Sequence, residues 1–181
     1  HASCFSSGFS DTRTLVEPSL PPVCATLDAQ LQTPGRSLSA QAEQKLDTER
    51  IQKAIDKCTK GHGVVLHVDG NNNAFLTGPL ELRTDVALIV DRGVTLFGSR
   101  DPALYAVSPG SCGIVSYAHR PRGCKPLISV DHASNSAIMG DGTIDGRGGE
   151  KMLNSQYSWW DLAEQARSGR GQQVPRIIVA D

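Results

Sequence analysis

Between Asp47 and Cys58 the apolar residues Ile51, Ala54, Ile55 and Cys58 fall at i, i+3, i+4 and i+7, the stripe of an amphipathic helix. Asp47 or Thr48 stands where a cap is wanted, and the run KGHG that follows supplies the stop. From Val64 the period changes. Short β-prone runs follow in close order: VVLHV, AFLTG, PLEL, DVALIV, VTLFG, LISV, SAIMG, GTIDG and RIIVA, with Gly, Asn, Asp or Pro between most of them. Nothing between Val64 and Phe97 reads as a crossover helix, which argues against a doubly wound sheet. Asn-Gly hairpin signals between the runs are also missing.

Two stretches, DVALIVDRGVTLFGS and NSAIMGDGTIDGRG, share one grammar: a polar residue, an apolar strand, a glycine turn, a second strand, then glycine. Repeated strand–turn–strand units of this kind predict an all-β chain, a right-handed parallel β-helix in which each rung stacks on the last. A β-sandwich is the structural alternative. Residues 1–38, rich in Ser, Thr and Pro and without periodicity, read as an irregular arm. Residues 39–63 form the region of the helix, and 64–181 the rungs, in a single domain. A second helix is expected in SQYSWWDLAEQARSG, where Ser158 and Asp161 fit a capping box, Trp159, Leu162, Ala163 and Ala166 repeat at helical spacing, and Gly169 ends it. Of the adjacent Trp159 and Trp160, either can stack on a sugar ring, and at least one is expected to pack on the apolar stripe.

The 181 residues suffice for one domain with a core. A net charge of −1 removes the electrostatic case for nucleic acid or an acidic membrane as partner. The longest apolar runs, Val86 to Val90 and Ile177 to Ala180, are far below the roughly twenty residues of a membrane span. The chain opens at His1 without a visible signal peptide, so a processed start is expected. Its five cysteines, Cys4, Cys24, Cys58, Cys112 and Cys124, make no C-x-x-C pair, which weakens a zinc or thioredoxin reading. A secreted protein with one or two disulfides and an odd thiol fits them better than a reduced cytosolic one.

The densest chemistry lies in GDGTIDGRGG, with Asp141 and Asp145 four residues apart. In an extended chain that spacing is about 13 Å at roughly 3.3 Å per residue. Glycoside hydrolysis needs its two carboxyls about 5–5.5 Å or about 6.5–9.5 Å apart, so the pair reads as turn chemistry, Asp before Gly. His62, between two glycines, is a candidate acid–base group, yet its place after the helix stop favours a turn. The segment 98–126 is the longest irregular stretch. Cys112 and Cys124 can close its second part, and His119, Arg120, Arg122 and Lys125 make it cationic, so a loop contacting an anionic polymer and a solvated loop stand level. No P-loop, GxSxG, HExxH or EF-hand pattern occurs.

Taken in order, IQKAIDKC, AFLTGPLEL, DVALIVDRGVTLFGS, SCGIV, GTIDGRGG and SWWDLA resemble the polygalacturonases of glycoside hydrolase family 28, most nearly the secreted bacterial endo-acting ones. The resemblance runs from about Cys24 to the end. It implies a parallel β-helix capped by the helix around Ile51, bonds Cys24–Cys58 and Cys112–Cys124, and no assigned partner for Cys4. It implies inverting hydrolysis of α-1,4-galacturonosyl bonds in pectin or polygalacturonate, in the extracellular space and without a metal or other cofactor. An acidic polysaccharide is the expected partner, with Arg120, Arg122 and Lys125 as candidate contacts.

The family's catalytic set is an Asn-Thr-Asp, an Asp-Asp pair, a Gly-His-Gly and an Arg-Ile-Lys. Neither the first nor the second occurs here, Gly61-His62-Gly63 comes too early, and Arg176-Ile177-Ile178 lacks the lysine. Asp141 and Asp145 therefore read as scaffold, no catalytic residue is assigned, and the chain is expected to be the N-terminal part of a longer enzyme. A non-catalytic β-helix module that binds acidic polysaccharide is one alternative. A rhamnogalacturonan-directed or exo-acting hydrolase on the same fold is another.

Overall fold

A computed structural model describes residues 14, 16–34, 37–116, 122–167 and 171–180. In chain order the elements are β1 (Val23–Asp28), α1 (Thr48–Lys57), β2 (His62–His67), β3 (Ala74–Thr77), β4 (Leu80–Glu81), β5 (Val86–Val90), β6 (Thr95–Gly98), α2 (Pro102–Tyr105), β7 (Ile114–Ser116), β8 (Ile128–Val130), β9 (Ala137–Met139), β10 (Thr143–Asp145), α3 (Trp159–Ala166), β11 (Gly171–Gln173) and β12 (Ile178–Ala180).

The strands form three parallel sheets, ordered β1-β2-β5-β9, β3-β6-β10 and β4-β8-β12. The chain visits one strand of each in turn, which makes it a parallel β-helix. Val64 pairs with Leu88 and Leu88 with Ile138, so the second coil is about twice as long as the first. The extra length lies at one corner, between β6 and β8 and again between β10 and β12. These two insertions carry α2 and β7, and α3 and β11. β7 and β11 pair antiparallel, which ties the insertions to each other.

Stacking explains the core. Val64, Leu66, Leu88, Val90, Phe75, Leu96, Leu80 and Ile128 face one another across the coil and are buried. On the opposite side of the first sheet, Val65, Ala87 and Ile89 form a second apolar layer. All five residues of β5 are therefore buried, and no polar alternation survives in DVALIV. Gly140, at φ +101°, sits so close to the Val90 backbone that a Cβ there would overlap it, which sets the tight spacing of these rungs.

Ile51 and Ile55 of α1 are fully buried against the first coil, each contributing about 1.5–3 kcal/mol of burial. Asp47 occupies the N-cap position, but its side chain does not cap the helix. Its carboxylate instead accepts from Leu76 N at 3.0 Å and from Arg50 Nε at 2.7 Å. Thr48 Oγ1 accepts from Gly78 N at 2.8 Å. Gln52 bonds both Glu81 N and Glu81 O, at 2.9 and 3.0 Å. The outer edges of β3 and β4 thus find their hydrogen-bond partners in side chains of the α1 region.

Two expectations change and a third is extended. The arm predicted as irregular over 1–38 contains β1, which pairs in parallel with β2. The long segment 98–126 is not wholly irregular, because it carries α2, with Pro102 at its start, and β7. His62 closes the turn after α1, its N–H donating to Thr59 O at 3.1 Å, and is at the same time the first residue of β2, opposite Val86. Gly61, at φ +76°, makes the reversal just before it.

Candidate functional site

Asp141 and Asp145 do not form a carboxylate pair. Asp141 lies in the exposed turn after β9, and its Oδ2 accepts from Arg92 Nη2 at 2.8 Å. Asp145 ends β10, and its Oδ1 accepts from Arg147 N at 2.7 Å, the geometry of an Asx turn. His62 places Nδ1 3.1 Å from Lys60 O, on the outer surface of the first sheet. None of the three faces another candidate. Among the described residues no cluster of His, Cys, Asp and Glu is arranged to hold a metal ion.

Of the cationic candidates, Arg120 falls outside the described residues, as do His119 and Cys4. Arg122 is exposed and shares the wall of a surface cavity with Gln172 and Arg176. Lys125 is exposed, and its backbone N–H donates to Tyr105 O at 2.7 Å. Of these two, Arg122 lines that cavity and Lys125 does not. Cys24 is bonded to Cys58, with Cα atoms 5.5 Å apart, tying β1 to the end of α1. Cys112 is bonded to Cys124, with Cα atoms 5.0 Å apart, closing part of the first insertion.

The arrangement with the most chemistry lies at the corner where the insertions leave the coil. Arg147 follows β10 at φ +54° and is almost wholly buried. Its Nε and Nη2 donate to the two carboxylate oxygens of Glu150 at 3.1 and 2.7 Å, and Nη2 also reaches Glu43. Arg100 Nε donates to the same Glu43 oxygen at 3.0 Å, and its Nη1 to Lys151 O at 2.7 Å. Two cations and two anions from three separate parts of the chain thus meet over Phe97, whose ring centre lies 5.8 Å below Arg147 Cζ. Burial works against the Arg147 charge, but its bonds to Glu150 and Glu43 outweigh it and hold the guanidinium above its usual value. The same bond to Arg147 holds the Glu150 carboxyl below the ordinary range.

Beside this network α3 rises from its capping box. Ser158 Oγ accepts from Asp161 N at 3.1 Å while Asp161 Oδ2 accepts from Ser158 N at 2.7 Å. The box orients the two tryptophans oppositely. Trp159 is buried edge-on to Tyr105, ring centres 6.0 Å apart. Trp160 is 70% exposed and lies on Gly148 and Gly149, where an added Cβ would overlap its indole. Burial pushes the Tyr105 phenol well above its ordinary pKa, and its hydroxyl donates to Ser99 O at 3.0 Å. Between α3, the 146–148 turn and residues 174–177 lies a cavity of about 390 Å³.

The sequence offered little warning of the Arg147 network. A charged residue inside GRGG was the available signal, since a non-glycine side chain kept in a glycine run needs a reason. Glu43 and Arg100 carry no local signal at all.

No protein-family model matches the sequence. The chain is 38% identical over 178 residues to the endo-polygalacturonase of Pectobacterium carotovorum subsp. carotovorum, covering 98% of this chain and 40% of that enzyme. It is 38% identical over 199 residues to the polygalacturonase of Ralstonia solanacearum, covering 98% of this chain and 37% of that one. The solved structure of polygalacturonase from Erwinia carotovora ssp. carotovora superimposes with a TM-score of 0.78 at 38% identity, over 93% of this chain and 41% of that chain. Over nearly all of its length this chain is therefore similar, in sequence and in fold, to bacterial polygalacturonases, of whose length it spans about two fifths.

Proposed function

We propose that this chain forms the N-terminal coils of a secreted endo-polygalacturonase, a hydrolase of the α-1,4-galacturonosyl bonds of pectin and polygalacturonate. The observation that carries this reading is the 38% identity to the Pectobacterium endo-polygalacturonase across 98% of the chain. Two disulfides fit an oxidising, extracellular setting.

The part played by these residues is scaffold. Inverting hydrolysis needs an acid that protonates the leaving oxygen and a base that activates water, about 6.5–9.5 Å apart. Asp141 is committed to Arg92 and Asp145 to the Arg147 N–H, so in this reading the acid and base come from coils outside these 181 residues. The region of α1 acts as the N-terminal cap of a right-handed coil. The hydrogen bonds from Asp47, Thr48 and Gln52 to β3 and β4 support this, because an unsatisfied sheet edge would otherwise pair with another chain. Crossovers between parallel strands are almost always right-handed, which supports the hand. Arg122 and Lys125, with Arg120, are the proposed contacts to the acidic polymer.

Reducing-end release from polygalacturonic acid, measured on the 181-residue chain at verified mass, tests the scaffold assignment. No release is expected. Turnover by that chain alone would place the acid and base within it and overturn the assignment.

A further inference from the structure

In an Asp-Gly step the side-chain carboxyl and the next amide nitrogen can close a five-membered ring, because glycine puts no side chain in the way. The chain holds three such steps, Asp69-Gly70, Asp141-Gly142 and Asp145-Gly146, and the fold places them differently. Gly70 and Asn71 form a two-residue reversal between β2 and β3. Asp69 N donates to Asn72 O at 3.0 Å and Asn72 N to Asp69 O at 2.8 Å, with Gly70 at φ +57°. Asp69 and Gly70 are both exposed, and the Asp69 carboxyl and the Gly70 N–H have no partner among the described residues. A Cβ at Gly70 would meet nothing within 4 Å. At the second step Asp141 Oδ2 is held by Arg92 Nη2, and Gly142 N donates to Val90 O at 2.9 Å, in a place so tight that a Cβ would overlap Val90 and Asp91. At the third, Asp145 ends β10 and its Oδ1 accepts from Arg147 N at 2.7 Å.

We infer that Asp69 is a site of spontaneous backbone modification, converting to isoaspartate in the folded protein, and that the fold protects the other two steps. The Gly70 nitrogen attacks Asp69 Cγ. The N–Cγ bond forms, and the carboxyl hydroxyl leaves as water with the amide proton. Water then adds to the main-chain carbonyl carbon of the succinimide, and the bond from that carbon to Gly70 N breaks. The main chain now runs through Cγ, one methylene longer and unchanged in composition. A reversal of two residues cannot absorb that methylene and keep both Asp69–Asn72 bonds. The neighbouring Asn73 donates from N to Leu31 O at 2.9 Å and accepts at Oδ1 from Thr33 N at 3.0 Å, so the modified turn lies beside the contacts that pin residues 31–33 to the first coil. Reaction at Asp141 or Asp145 must first give up at least one hydrogen bond, worth about a factor of ten in rate.

The test ages the folded 181-residue chain in mildly acidic buffer, reads isoaspartate with protein isoaspartyl methyltransferase, and assigns it by electron-transfer fragmentation of the peptides. Isoaspartate should accumulate at Asp69 about tenfold faster than at Asp141 or Asp145. In chain unfolded by urea the three should accumulate at comparable rates, since the local sequence is then all that distinguishes them. Asp69→Glu, at an exposed position, moves the carboxyl out of reach of a five-membered ring and should remove most of the methyl-accepting signal from the folded protein. Deamidation of the adjacent Asn71 changes the mass and is counted separately. Equal rates at the three steps in the folded chain, or no isoaspartate at Asp69, overturn the proposal. A preference for Asp69 that survives unfolding overturns its structural cause.

Discussion

Replacing Arg147 with alanine tests the corner network most sharply. The substitution leaves Glu43, whose side chain is 6% exposed, with Arg100 as its remaining cation at 3.0 Å. Glu150 is 39% exposed and can rehydrate. Breaking a buried ion pair from one side costs about 3–5 kcal/mol, and because Arg100 stays behind, the lower end applies, about 3 kcal/mol. Alanine also carries a Cβ, so the strain of the positive φ is common to both proteins and cancels. For a domain of this size each kcal/mol moves the thermal midpoint by roughly 2–4 °C, which places the fall at about 6–12 °C. Far-UV circular dichroism through the melt gives the number. Arg92→Ala, at an ion pair that is 85% exposed on the arginine side, serves as the control and should not move the midpoint measurably. In a cycle with Glu43→Gln, the double variant should lose less than the two single losses combined, because neither residue is then left alone. If Arg147→Ala shifts the midpoint no more than Arg92→Ala does, the network carries no stability and the reasoning fails.

Other consequences follow from the same contacts. The Cys24–Cys58 bond closes 34 residues and Cys112–Cys124 closes 12, so loop-closure entropy assigns about 4 and about 3 kcal/mol respectively. Serine pairs at each site should therefore lower the denaturant midpoint in that order. Gly148→Ala would drive a methyl into the Trp160 indole, and should change the tryptophan emission together with the melting temperature. The Glu150 pKa is depressed in the folded state, so its contribution is present above the unfolded value of 4.5 and is lost as pH falls through the folded one. As pH falls below 4.5 and through the lower folded value, the wild type should lose stability more steeply than Glu150→Gln, and parallel curves would rule that contribution out.

Which features were legible follows from the range of the interactions that create them. The stripe Ile51, Ala54, Ile55 and the Ser158–Asp161 box each lie within one or two turns of chain, and α1 and α3 formed where those signals stood. The strand runs from VVLHV to RIIVA were legible for the same reason, and their repeated grammar pointed to stacking. β1 was hidden because VCATLD becomes a strand only by pairing with β2, and Pro21-Pro22 just before it suggests loop. β7 was hidden because its partner β11 lies in the next insertion. Asp47 showed the same limit in reverse. A local rule assigned it to the helix end, but the open edge of β3 claimed its carboxylate. At the corner, only the Arg147–Glu150 spacing was local. Glu43, Arg100 and the two tryptophans converge there through the coil, and a linear reading has no access to that convergence.

The central claim is that these residues serve as the N-terminal coils and cap of a polygalacturonase. The direct test is a chimera in which this chain replaces the aligned part of the Pectobacterium endo-polygalacturonase, which it covers over 40% of that enzyme's length. Reducing-end release from polygalacturonic acid is then measured on chimera shown to be folded by its circular dichroism and a cooperative melt. The account predicts cleavage. A folded chimera that releases no reducing ends would contradict it.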